Sequence, residues 1–139
     1  MSLFNVFDVS GSALSAQSVR LNTVASNMAN AEVASATAEG VYRSRQPVFA
    51  TVLAQNAAAG GAGNGVRVTG VVESQAPPRV EYMPGHPLAD EDGYVFFPAV
   101  NMVEEMANMM SASRSYQNNV EAMNTVKQLM LRTLQLGQR

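Results

Sequence analysis

From Met102 to Leu134 the side chains Met102, Met106, Met109, Ser113, Tyr116, Val120, Met123, Lys127, Met130 and Leu134 fall in alternate steps of four and three. That is the period of an α-helix keeping one side against a neighbour, with polar interruptions at Ser113 and Lys127. Such a helix, of roughly 35 residues, would span about 50 Å at 1.5 Å per residue. A chain of 139 residues has room for one ordinary domain. The helix is too long to be wrapped inside it, so the sequence demands a partner helix.

The chain's other end supplies one. From about Ser10 to Ala31 there is no proline and the only glycine is Gly11, while Leu14, Leu21, Val24, Ala25 and Met28 form a helical stripe. Ser10 or Ser12 is the expected N-cap. At 100° per residue Leu21, Val24, Ala25 and Met28 share one face, and Ser26, Asn27 and Asn30 gather on the other. The amides are thus expected off the hydrophobic seam, as neutral polar groups bridging packed helices. The preceding leader, Ser2 to Val9, adds the apolar residues Leu3, Phe4, Val6 and Phe7.

All six prolines and most of the glycines lie between Gly40 and Pro98. VYRSRQPVFATVL, GVRVTGVVE and RVEYM are short β-type runs, and DEDGYVFF adds an Asp92-Gly93 turn before an aromatic run. Asn56 to Gly65 reads as a flexible loop. The expected fold is α+β: long N- and C-terminal helices paired as an α-helical coiled coil, with a small, mostly antiparallel β module projecting from them. The expected boundaries are 1–40 for the leader and first helix, 41–97 for the β module and 98–139 for the second helix.

Composition narrows the function. Only 14% of residues are charged, well below the quarter typical of soluble chains, so much of the surface is neutral and suited to association. The net charge is −2 and the basic residues are scattered, which argues against a nucleic-acid partner. Cysteine is absent, removing disulfides and thiol chemistry. The first basic residue is Arg20 and no uninterrupted apolar core follows Met1, so no cleavable secretory signal is expected.

Catalytic and metal chemistry find no foothold. His86, the one histidine, lies in the turn PGHP, and Asp90, Glu91 and Asp92 match no calcium loop. Glu104 and Glu105 diverge by about 100° on a helix. No active site, metal, cofactor or small-molecule substrate is expected. Six of the nine methionines lie between Met102 and Met130, a stripe that serves as a tolerant core or a contact surface. The candidate helix-pair and subunit interface comprises Leu14, Leu21, Val24, Asn27, Met28 and Asn30 with Met106, Met109, Tyr116, Val120, Met123 and Met130.

Two stretches carry a family likeness. LNTVASNMANAEV, with Leu21, Asn22, Ser26, Asn27, Ala29 and Asn30, resembles the asparagine-rich N-terminal motif of the bacterial flagellar rod and hook proteins. The run from Met102 to Gly137 is similar to their C-terminal helix, with Arg114, Tyr116 and Asn119 matching its R-x-Y-x-x-N core. HPLADEDGYV and the short length point to a proximal-rod member. Position 99 is alanine where the family reads Pro-Asn-Val, and Asn101 is expected to cap the helix instead.

The resemblance implies export by the flagellar type III apparatus without a cleavable signal, then assembly into a hollow helical drive shaft that transmits motor torque and conducts exported subunits. Leu3, Phe4, Val6 and Phe7 are then expected to contribute to the export signal. The implied partners are copies of the chain, other rod proteins, the membrane-embedded basal ring and the hook-basal body adaptor. A soluble coiled-coil export chaperone or adaptor is the alternative.

Overall fold

The computed structural model describes residues 3–52 and 65–137. Along the chain run α1 (Leu3–Asn30), β1 (Arg45–Val52), β2 (Gly65–Glu73), β3 (Arg79–Tyr82), β4 (Tyr94–Phe97) and α2 (Met102–Leu136). The architecture is α+β, two terminal helices with antiparallel strands between them. The expected loop from Asn56 falls almost wholly on residues 53–64, outside the described residues.

Helices α1 and α2 make the most extensive contact between elements. Arg20 bonds to Asn108 and Asn27 to Glu105, so the chain ascends one helix as it descends the other, and the pair is antiparallel. The buried apolar side chains of the two helices are small, Ala16 and Val24 on α1 and Ala112 and Val126 on α2, and α2 packs on no other described element. Small residues let two backbones approach closely, at the expense of buried apolar area.

α1 begins at Leu3, not at Ser10 or Ser12. The leader is its first two turns. Phe7 stands one heptad before Leu14, Leu21 and Met28, so the packing column simply continues toward the N-terminus. Ser10 is buried within the helix, and the Ser12 hydroxyl donates to the Val9 carbonyl while accepting the Val66 N–H. Local capping preference yields to that packing.

The strands form two separate ribbons. β1 pairs with β2 from Arg45↔Glu73 to Val52↔Gly65, with a shift between Val48 and Phe49 that leaves Thr69 unpaired; its hydroxyl donates to the Val48 carbonyl. The first ribbon does not project. It lies along α1, held at one end by Ser12 and Val66 and at the other by Asn27 and Arg45. β3 pairs with β4, and Gly93, at φ +82°, closes their connection where a Cβ would stand 2.9 Å from the Tyr82 ring. Asp90 stiffens this turn by accepting the N–H groups of Asp92 and Tyr94.

Val95, Phe97 and Pro98 are buried, as are Ala31 and Val41 in the segment after α1. Ser35 bridges to Phe96, joining the segment after α1 to β4. Asn101 caps α2 by accepting the N–H groups of Val103 and Glu104, the role expected of it in place of position 99. Glu104 and Glu105 then place negative charge at the positive end of the helix.

Candidate assembly interface

A junction forms where α1, α2 and β1 meet. Asn27 is 1% exposed, and its amide makes four hydrogen bonds. The Nδ2 group donates to the Arg45 carbonyl (2.9 Å) and to Glu105 Oε2 (3.2 Å). Oδ1 accepts the Arg45 N–H (2.9 Å) and the Tyr42 hydroxyl (2.8 Å). Because the Tyr42 proton goes to Asn27, the Ser26 hydroxyl, 3.3 Å away, is the donor toward Tyr42. A neutral carboxamide has two donor protons and two acceptor lone pairs, and all are used. Such a residue fixes geometry in a way no apolar residue of its size would.

Arg45 extends the junction outward. Its guanidinium stacks over the Tyr42 ring at 5.7 Å and meets Glu73 Oε1 at 3.1 Å on the opposing strand. That pair is half exposed and adds little stability by itself. Its effect is positional, since it ties β2 to the strand already anchored on Asn27. Beside it a groove of about 280 Å³ opens between α1, α2 and β1, bordered by Arg20, Phe49, Glu104 and Asn108.

Asn27 therefore lies in the seam and not on the back of the helix. Of the expected face Leu21, Val24, Ala25 and Met28, Val24 alone is buried; the buried side of α1 follows Ala16, Val24 and Asn27, turned by about 100° from the centre of that face at 100° per residue. Ala25 is exposed; Leu14, Leu21, Met28 and Asn30 are half-buried at the margin. The turn has a cause: α1 faces α2 and the first ribbon at once, and Asn27 on its buried side bonds to both.

α2 is turned likewise. Met109, Met123 and Met130 stay half-buried, while Met106, Tyr116 and Val120 are exposed. The column packed with the methionines is Glu105, Ala112, Asn119 and Val126, one residue before the Met106–Ser113–Val120–Lys127 column. Val6 and Phe7 are half-buried, and the described side chains begin at Asn5, so those of Leu3 and Phe4 lie outside them. Sequence reasoning did not single out Glu105, Tyr42, Arg45 or Ala112 as site residues. A seven-residue repeat of Glu105, Ala112, Asn119 and Val126 was the available signal, obscured because two members are polar and one is small.

Among the described residues no three His, Asp or Glu side chains gather as a metal site, and no helix is long and apolar enough to cross a membrane. The arrangement is one of packing surfaces.

Residues 7–37 match the family described as flagella basal body rod protein, and residues 91–136 match the family described as flagellar basal body rod FlgEFG protein C-terminal. The flagellar basal-body rod protein FlgC of Escherichia coli O6:H1 is 56% identical over 138 residues, covering 99% of this chain and 100% of the relative. The chain belongs to the FlgC family of flagellar basal-body rod proteins. FlgC of Salmonella typhimurium is 55% identical with the same coverage, and FlgC of Bacillus subtilis is 37% identical over 149 residues, covering 99% of each chain. The two matched segments contain most of α1 and all of α2, the helices that the Asn27–Glu105 contact joins.

Proposed function

We propose that this chain is a structural subunit of the proximal rod, that its helix pair belongs to the wall of a hollow shaft, and that its work is mechanical. The end-to-end similarity to FlgC carries the assignment. An antiparallel pair with large apolar side chains on its outer side, Val103, Met110 and Leu134 among them, is suited to packing against further subunits. A heterologous contact that does not close generates a helical assembly. Residues 1–40 and 98–139 form the rod core, and 41–97 form a module laid against it. Torque passes through side-to-side contacts of the helices, and Asn27 keeps the first ribbon from shifting on α1 under load.

The partners are further rod subunits, copies of the chain included, and, beyond them, the membrane-embedded ring and the hook-basal body adaptor. The chain reaches them through the flagellar export apparatus, with the start of α1, Leu3 to Phe7, serving recognition before it serves packing. Leu21, Met28 and Asn30 on α1 and Met106, Tyr116 and Val120 on α2 contribute to subunit contacts. No chemistry is performed on a small molecule.

Complementation tests this. The full chain, expressed in a flagellated bacterium lacking its own FlgC, should restore swimming in soft agar and rods in purified basal bodies. Restored export of other rod proteins, with the chain itself staying in the cytoplasm and absent from the rods, would instead favour the export chaperone or adaptor reading.

A further inference from the structure

Of the three aspartates, Asp8, Asp90 and Asp92, only Asp92 is followed by glycine. A side chain on the following residue hinders attack of its backbone nitrogen on the aspartate carboxyl, and glycine has none. Asp92 is therefore the aspartate most open to isoaspartate formation, a covalent change of the main chain. In that reaction the Gly93 nitrogen bonds to the Asp92 side-chain carboxyl carbon, its proton and the carboxyl hydroxyl leave as water, and a succinimide ring results. Water then opens the ring. Attack at one carbonyl returns aspartate; attack at the other yields isoaspartate, whose main chain runs through the side chain and is longer by a carbon.

The fold closes that route. The Gly93 N–H donates to the Asp90 carbonyl at 3.0 Å, which holds the proton of the attacking nitrogen, and the Gly93 carbonyl accepts the Met83 N–H at 2.8 Å. Asp90 Oδ1 accepts the Asp92 and Tyr94 N–H groups at 3.1 and 2.7 Å, fixing the amides on either side. Attack requires the peptide plane between Asp92 and Gly93 to turn its nitrogen toward the Asp92 carboxyl. Turning it breaks the bond from Gly93 to Asp90. Packing resists the same motion, since Gly93 is buried at φ +82° with the Tyr82 ring and Pro84 close against it. The Asp92 side chain is exposed, so water reaches the carboxyl and the fixed amide alone withholds the reaction.

We propose that Asp92 is an isoaspartate site that the β3–β4 turn keeps silent, with Asp90 as the residue that holds it so. The reaction is confined to chains in which this turn is open. Its product does not close the turn again, because a longer path between Asp92 and Gly93 prevents the Asp92 and Tyr94 N–H groups from reaching Asp90 Oδ1 together. A chain altered before folding therefore pairs β3 with β4 less well. The inference concerns the chain's own folding and is independent of the rod-subunit reading.

Heavy-oxygen water reads the reaction, because each opening of the succinimide leaves a labelled oxygen on residue 92 whether aspartate or isoaspartate forms. The full chain is incubated in it near neutral pH, both folded and in concentrated guanidinium chloride, then digested with trypsin in ordinary water. Fragmentation of the peptide from Val80 to Arg114 locates the label, with Asp90 in the same peptide as the control. Label at residue 92 should accumulate at least about tenfold more slowly in the folded chain, since only molecules with the turn open react. Asp90→Ala should raise the folded rate several-fold, and Asp90→Asn, which keeps an acceptor oxygen, should stay near wild type. Equal labelling of folded and unfolded wild type would overturn the proposal. So would an Asp90→Ala chain that is folded by circular dichroism and labels as slowly as wild type; should that variant not fold, the wild-type comparison alone decides.

Discussion

The Asn27 amide on α1 donates to the Glu105 carboxylate on α2 across 3.2 Å, with both residues buried. The same amide holds the backbone of Arg45 at the start of β1. One side chain thus sets the axial register of the helix pair and the position of the first ribbon. Shifting either requires breaking hydrogen bonds of groups that are buried from solvent.

Asn27→Asp keeps the shape and loses the donor. The Arg45 carbonyl and Glu105 each lose a partner, at about 1–3 kcal/mol for each orphaned group, and a second carboxylate then faces Glu105. Repulsion and burial raise the pKa of the new carboxyl above its unfolded value. The variant's folded state therefore binds more protons, and its stability relative to wild type falls as pH rises through the carboxylate range. Urea unfolding of the full chain at neutral and mildly acidic pH should show the smaller defect in acid. Equal defects at both would contradict this account.

Ala112 is fully buried between the helices. Ala112→Leu forces them apart, with an overpacking cost of about 1–3 kcal/mol. Ala107→Leu, on an exposed turn of α2, adds the same atoms without that cost. Thermal unfolding should separate the two variants by several degrees. Coincident melting curves would mean that the helices do not approach closely at Ala112.

The capping side chain of Asn101 is expected to contribute about 0.5–2 kcal/mol, lost in Asn101→Ala. Asn101→Asp, which retains the acceptor and adds negative charge at the helix start, should recover most of it. Comparing the two variants by calorimetry checks this; an alanine variant as stable as the aspartate one would show that the cap is idle.

Gly93→Ala places a Cβ against the Tyr82 ring in a left-handed backbone region, costing about 1–2 kcal/mol in conformation before any clash. The β3–β4 connection should loosen, read as faster amide exchange at Met83 and Tyr94. Unchanged exchange there would show that the turn adapts freely.

Amide exchange along the unassembled chain should be uneven. Protection should be highest around Val95 and Phe97, where side chains are buried from several directions, and lowest from Leu129 to Leu136, where none is. In basal bodies the last segment should become protected. Equally slow exchange there in a verified monomer would show that the tip needs no neighbour.

Much of the architecture follows from the sequence alone. The methionine heptad specifies a long second helix, Asn101 marks its start, and Asp92-Gly93 marks a turn before β4. These are local matters of period, cap and turn, decided by side chains within a few residues of one another. The faces that meet are another matter. Met109, Met123 and Met130 belong to either of two seams on α2, one completed by Met106 and Val120 and the other by Glu105, Ala112 and Val126. Hydrophobicity favours the first. The fold takes the second because alanine allows close approach and because Glu105 there reaches Asn27. On α1 the ranking by hydrophobicity likewise centres on Leu21 and Met28, while the fold buries Val24, which that ranking included, and Asn27, which it set on the opposite side, because Asn27 bonds to α2 and to the ribbon together. A buried amide bonded to residues distant in sequence leaves no local trace, and only the tertiary structure supplies the partners that make its burial favourable.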